Sequence, residues 1–311
     1  MGALATTATT YDLDGRTIEI THPDRILFPD DGITKADLAA YHHAVATVLV
    51  PHLAERPLML QRFPSGIGKD GFYQKDAGKT LPRWIRTVRA RKEGGVVNHP
   101  LVDDEAALLA LSNLGTISFH RWGARADDLD HPDLLIIDLD PSRDDIAAVV
   151  QAARWTRELL DELDLAAYVQ VTGSRGLHVV TPLDRSATTD EVGSFADGLA
   201  TLLAARHPGE LTHQFSKSAR GDRLYLDTAR NGYAQTAVAP YSVRPRRGAP
   251  VATPLEWDEL DEPGLRADGW TIATLPVRVA EHGDPWASMS RHARSLPARR
   301  ERLARLVHRS V

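Results

Sequence analysis

The chain contains no cysteine. That excludes disulfides, thiolate catalysis and cysteine-based zinc sites, and it fits a cytoplasmic protein. Long apolar runs are missing too. No stretch reaches the roughly 18 residues of a membrane span, so no membrane association is expected. The N-terminal residues are rich in Ala and Thr but have no basic segment ahead of an apolar one, so they do not read as a secretory signal. Residues 1–11 are expected to form a flexible tail. No Gly-x4-Gly-Lys-[Ser/Thr] phosphate loop occurs, no internal repeat and no extended low-complexity tract. Net positive charge is also lacking: 37 Lys and Arg against 42 Asp and Glu leave −5, which alone argues against a nucleic-acid ligand.

The distribution of charge tells a different story. Arg83, Arg86, Arg89, Arg91 and Lys92 form one basic cluster, and Arg244, Arg246 and Arg247 a second. A third lies in residues 286–311, expected to be a basic C-terminal tail. Each run by itself reads as solvated surface charge. Three in one chain also suit a polyanionic partner that meets local fields rather than net charge. At 311 residues, 42% of them apolar, the chain can bury a large core in one domain or two modules.

One stretch organises the rest. Residues 134–141 read Leu-Leu-Ile-Ile-Asp-Leu-Asp-Pro, a strand buried on both faces that ends in two carboxylates and a proline. Residues two apart on a strand share a face, about 7 Å apart at Cα. Asp138 and Asp140 therefore point the same way while Leu139 turns into the core. Two adjacent acids either face water or share a divalent cation that relieves their repulsion.

Ahead of that strand, residues 16–20 alternate like a strand. Thr34 is a good N-cap for a helix from Lys35 to about 49, with Pro51 near its end. Residues 58–63 read as a strand, followed by a glycine-rich turn and then by Phe72-Tyr73 between Lys69 and Lys75. Two adjacent aromatics in such a loop either pack inward or form a stacking platform for bases. Residues 83–89 alternate as an exposed strand with a basic face, residues 105–114 form a short helix, and residues 117–122 form a strand on which His120 shares a face with Ser118. Residues 123–131 are loop-like, a boundary between an N-terminal α/β module (12–130) and a central one (131–285).

After Asp140 come a helix over about 144–163, a strand at 168–172, the turn Gly173-Ser174-Arg175-Gly176, a strand at 177–181, a helix capped by Thr189 and a strand ending in Asp227. The class is α+β, with an antiparallel or mixed sheet like that of an RNA-recognition motif, flanked by helices. The turn is either a plain hairpin or an anion cradle in which Ser174, Arg175 and nearby His178 meet phosphate. Asp138, Asp140 and Asp227 are a sufficient oxygen-ligand set for two Mg²⁺ or Mn²⁺ ions with substrate phosphates.

In order, Asp138-Leu139-Asp140, then Ser174-Arg175-Gly176-Leu177-His178, then Asp227, resemble the three motifs of the archaeo-eukaryotic primase superfamily. The segments His-Pro-Asp-Arg-Ile-Leu-Phe-Pro (22–29), Thr-Lys (34–35), Gln-Arg-Phe-Pro (61–64), Phe-Tyr-Gln-Lys (72–75) and Ala-Pro-Tyr-Ser-Val-Arg (239–244) look like the polymerase domain of bacterial ligase D and its stand-alone relatives. The resemblance implies a primase-polymerase catalytic domain over 12–285. It is a template-directed nucleotidyltransferase that extends a primer 3′ end, preferring ribonucleotides over deoxynucleotides, to fill short gaps in excision repair or end joining. It implies metal binding and catalysis by Asp138, Asp140 and Asp227, and nucleotide binding by Arg62, His120, Ser174, Arg175, His178, Lys217 and Arg244. Arg25 and Lys35 would hold a 5′-phosphate of gapped or broken duplex DNA, and Phe72 and Tyr73 would stack near the template. Arg25 and Arg175 stand where lysine is usual, and Gln61 where a second basic residue is frequent. With no Lys-x-Asp-Gly ligase motif, the expectation is a stand-alone polymerase partnered by Ku or a separate ligase. The alternative is a haloacid-dehalogenase-like phosphatase with Asp138 as nucleophile and Ser142 beyond the second acid.

Overall fold

A computed structural model describes residues 9–310. Residues 1–8 of the expected tail lie outside the described residues. The tail expectation fails at its other end, because Thr10–Leu13 is a strand paired antiparallel with Arg16–Glu19. Asp14 and Gly15 both take positive φ, as a tight hairpin turn requires, and Tyr11 and Ile18 are buried opposite each other.

The chain forms two compact units. The first comprises the chain to Arg121 plus Val238–Ala252 and Trp270–Asp284; the second comprises Trp122–Ala237, Thr253–Gly269 and the C-terminal segment from Pro285. The expected modules, 12–130 and 131–285, were contiguous. Two later segments return to the first unit because Ala239, Tyr241, Val243, Val251 and Leu275 are buried in its core.

In the first unit, Lys35–Leu53 is a helix capped by Thr34, whose hydroxyl accepts from the Asp37 N–H while the Asp37 carboxylate accepts from the Thr34 N–H. The helix runs past Pro51, which sits in its last turn and removes only one donor. Its buried Leu38, Val45 and Leu49 share a core with Leu108 and Leu111 of the Glu105–Asn113 helix. Leu58–Arg62 pairs antiparallel with Phe72–Gln74 on one side and Thr116–Arg121 on the other. The basic strand begins later than its alternation suggested, at Thr87–Lys92. Pro82 and Ile85 close a turn (3.0 Å) that buries Ile85 between exposed Arg83 and Arg86, so basic and apolar residues alternate there without a strand.

The second unit holds a six-stranded sheet in the order Leu211–Thr212, Leu224–Asp227, Leu134–Asp140, Leu177–Pro182, Tyr168–Val171, Thr253–Leu255. Every pairing is antiparallel except the first, which is parallel. The helices Ile146–Glu162 and Thr189–Arg206 complete the strand–helix–strand–strand–helix–strand unit expected from sequence. The second helix is capped by Thr188, one residue earlier than expected, because the Thr188 hydroxyl accepts from the Glu191 N–H. Leu135, Ile137 and Leu139 are fully buried on one face of the central strand; Leu134 and Ile136 face the other way, against Trp286 and Met289.

The C-terminal segment is not a free tail. Pro297–Ser310 is a helix, with Leu303 buried against Gly198 and with Arg299 and Arg300 paired to Asp164 and Glu191.

One glycine determines how the hairpin closes. A Cβ on Gly176 would lie 2.2 Å from the Leu139 carbonyl oxygen. Gly176→Ala must push the hairpin off the strand that carries Asp140. We expect a loss of about 1–3 kcal/mol in denaturant unfolding, whereas Gly193→Ala, with open space around it, should not destabilise.

Candidate active site

Antiparallel register brings the acids together. Asp138 stands opposite Asp227 on one neighbouring strand and opposite His178 on the other, and His178 stands opposite Gln170. These four side chains form a polar row across four adjacent strands, each buried. Asp140, two residues on from Asp138, adds the third acid. Asp138, Asp140 and Asp227 each offer a carboxylate oxygen, and these atoms lie within 4.8 Å of one another. An all-oxygen set of this kind suits a hard divalent cation.

Three neighbours shape the electrostatics. His178 Nε2 lies 3.5 Å from Asp138 Oδ1, and the Gln170 side-chain amide contacts His178 Nδ1 at 3.0 Å. Arg230 reaches both opposed acids, Nε to Asp138 Oδ2 and an Nη to Asp227 Oδ2, each at 3.2 Å. Burial pushes the Asp138 carboxyl up, but His178 and Arg230 outweigh it and hold that group below the usual carboxylate range. At Asp140 the balance runs the other way: burial and the charges of Asp138 and Asp227 outweigh the opposing pull of Arg230 and His178 and push it up to about 6.

Arg230 and Asn231 were not anticipated from the sequence. Asn231 accepts from the Ile136 N–H (2.8 Å) and donates to the Ile136 carbonyl (2.7 Å), so its amide extends the strand pairing just beyond Asp227. The Asp227 carboxylate accepts from the Ala229 N–H (2.9 Å), which starts the Ala229–Asn231 turn. The available signal was position: the two residues lie three and four beyond the third acid, where one tight turn folds back.

The remaining expected residues divide between the units. Ser174, half-buried, and Arg175, exposed, sit in the loop before Leu177–Pro182, and Lys217 is exposed at the start of the Lys217–Arg220 helix; all three share the acids' unit. Arg62, His120, Arg244, Arg25, Lys35, Phe72 and Tyr73 belong to the first unit.

There, Arg62 is buried. It donates twice to the Leu114 carbonyl (3.1 and 2.6 Å), at the end of the Glu105–Asn113 helix, and once to Gln74 (2.6 Å). His120 contacts the Ser118 hydroxyl (3.4 Å) and the edge of Tyr73. Phe72 and Tyr73 lie on an edge strand, not in a loop. They are therefore on opposite faces of the sheet and do not form one platform: Phe72 lies over Arg62, Tyr73 beside His120. Arg25 and Lys35 are brought together, with the Lys35 N–H bonded to the Arg25 carbonyl (2.9 Å). Burial and the Arg25 charge lower the Lys35 ammonium to about 8. Arg244 is half-buried beside the Val243–Val251 bridge.

The profile of a family described as "LigD, primase-polymerase domain" matches residues 34–286. The multifunctional non-homologous end joining protein LigD of Pseudomonas aeruginosa is 35% identical over 281 residues, which are 87% of this chain and 32% of that protein. The LigD of Mycolicibacterium smegmatis is 31% identical over 279 residues, 89% of this chain and 36% of that protein. The chain thus spans about a third of the length of these relatives. A solved polymerase domain of Mycobacterium tuberculosis ligase D, in complex with DNA, superposes with a TM-score of 0.83 at 28% identity, covering 89% of this chain and 99% of that one. The phosphatase alternative finds no support in these matches, and the Ser142 hydroxyl it needed donates to the Arg223 carbonyl (2.6 Å).

A cation held by the three acids must expel the proton that Asp140 keeps up to about pH 6. Mn²⁺ affinity, read by titration calorimetry, should be flat above pH 7 and fall with a slope approaching tenfold per pH unit below 6. A pH-independent affinity between 5 and 7 would contradict the assignment of Asp140.

Proposed function

The chain belongs to the LigD primase-polymerase domain family, and on that premise we propose that it is a template-directed nucleotidyltransferase adding nucleotides to a primer end on DNA. The observation that carries this reading is the meeting of Asp138, Asp140 and Asp227 on adjacent strands. The donor set fits Mg²⁺ or Mn²⁺. Two such ions, completed by substrate phosphates, would activate a primer hydroxyl and stabilise departing pyrophosphate.

The protein's own groups then have distinct tasks. Before a metal binds, His178 and Arg230 keep Asp138 ionised and oriented. Ser174, Arg175 and Lys217 are donors and cations for the triphosphate of an incoming nucleotide. His120 and Arg244 in the first unit are assigned to the nucleotide as well, His120 to its sugar. Arg62 is assigned there with them, although its guanidinium already serves the end of a helix.

Arg25 and Lys35 are read as the site for a DNA 5′-phosphate. They are two adjoining cations at the N-terminal end of a 19-residue helix, and an anion there would relieve their mutual repulsion. Tyr73 and Phe72, exposed on an edge strand, are assigned to the template, each on its own face. The cellular task proposed is filling short gaps at broken or excised DNA. Non-homologous end joining stands in the relatives' names, and Ku or a separate ligase is the proposed partner. No helix among the described residues is long and apolar enough to cross a membrane, and a cytoplasmic location is proposed.

Asp138→Ala and Asp227→Ala should each abolish extension of a gapped, 5′-phosphorylated duplex; substantial remaining extension by either would remove the site. Lys35→Ala should weaken binding to that duplex about tenfold, roughly 1.4 kcal/mol, while changing binding to the unphosphorylated duplex little. Equal losses on both, measured by fluorescence anisotropy, would remove the phosphate role.

A further inference from the structure

The acid cluster already holds a cation of its own. The Arg230 guanidinium bridges the two carboxylates that register sets face to face, Asp138 and Asp227, at 3.2 Å from each. Its backbone is pinned: the next residue, Asn231, is held by hydrogen bonds to the Ile136 N–H and carbonyl and to the Thr228 carbonyl (2.8 Å). Its side chain is about 35% exposed, so the guanidinium has a route to solvent. Arginine does not lose its charge at any pH the protein meets. A divalent ion bridging the same two carboxylates would be repelled by that charge and would compete for the same oxygen atoms.

We propose that Arg230 is an exchangeable counter-ion: it holds Asp138 and Asp227 together while no metal is bound, and a divalent cation displaces it. The inference rests on the reading of the three acids as a cation site. Two consequences follow. Arg230 opposes metal binding, so removing its charge strengthens binding. Arg230 also stabilises the metal-free protein, so removing it makes stability depend more steeply on metal.

The test uses the full chain without nucleotide or DNA. Free Mn²⁺ is measured by electron paramagnetic resonance during titration of the wild type, Arg230→Gln and Asp227→Asn, and thermal unfolding is followed with and without Mn²⁺. Arg230→Gln should bind Mn²⁺ at least tenfold more tightly than the wild type. Its melting temperature should be lower without metal and should rise further on adding Mn²⁺. If Arg230→Gln is unfolded without metal, Mn²⁺ should refold it, seen by circular dichroism. Equal or weaker Mn²⁺ binding by Arg230→Gln, or failure of Mn²⁺ to refold an unfolded variant, would overturn the counter-ion role. The reading it rests on fails separately: if the wild type binds no Mn²⁺, or Asp227→Asn binds it as well as the wild type does, the acids are not a cation site.

Discussion

Three carboxylates held within 4.8 Å of one another repel, by roughly 3–4 kcal/mol per pair at an effective dielectric near 20. The second unit is arranged around that repulsion. Strand register places the acids, and the hydrogen bonds of an antiparallel sheet keep Asp138 opposite Asp227 whether or not the side chains approve. His178 on one side and Arg230 on the other then neutralise Asp138. At Asp140 burial and the two neighbouring carboxylates outweigh those same charges and push the group up to about 6. The site is an electrostatic deficit that positive charge fills.

The supports of this cluster lie one layer out. Gly176 lets the hairpin close onto the Leu139 carbonyl, which seats His178 beside Asp138. Asn231 uses its amide where a further strand residue would have stood, so the chain can leave the sheet directly after Asp227 and still return Arg230 to the acids. The C-terminal segment covers the other end of the same sheet face, with Trp286 and Met289 against Leu134 and Ile136, and leaves the acid end of that face uncovered by this cluster. Polar and apolar halves of one strand are thus separated within seven residues.

The first unit handles charge in a different way. Its basic residues are paired according to what they do for the fold. Arg86 is engaged by Glu55 and Asp103, and Arg62 serves the carbonyl at a helix end. Arg25 and Lys35 also bond to the fold, Arg25 donating to the Pro64 carbonyl (2.9 Å) and the Lys35 ammonium to the Thr21 carbonyl (2.6 Å), while burial and then the Arg25 charge lower that ammonium to about 8.

Local rules were enough to read the strand 134–140, its two acids on one face, the helix cap at Thr34 and the order of strands and helices around Asp138, since these depend on period-2 and period-3.6 patterning and on capping chemistry. Sequence motifs in order were enough to suggest which acids act together. Three things required the folded chain. Register decided that Asp227 stands opposite Asp138, because pairing partners far apart in sequence carry no local signal. The turn after Asp227 decided that Arg230 joins them. Long-range packing decided that residues 238–252 and 270–284 belong with the first unit and that the arginine-rich C-terminus is a packed helix, because burial of Tyr241 or Leu303 is a property of the surface it meets, which no local pattern encodes.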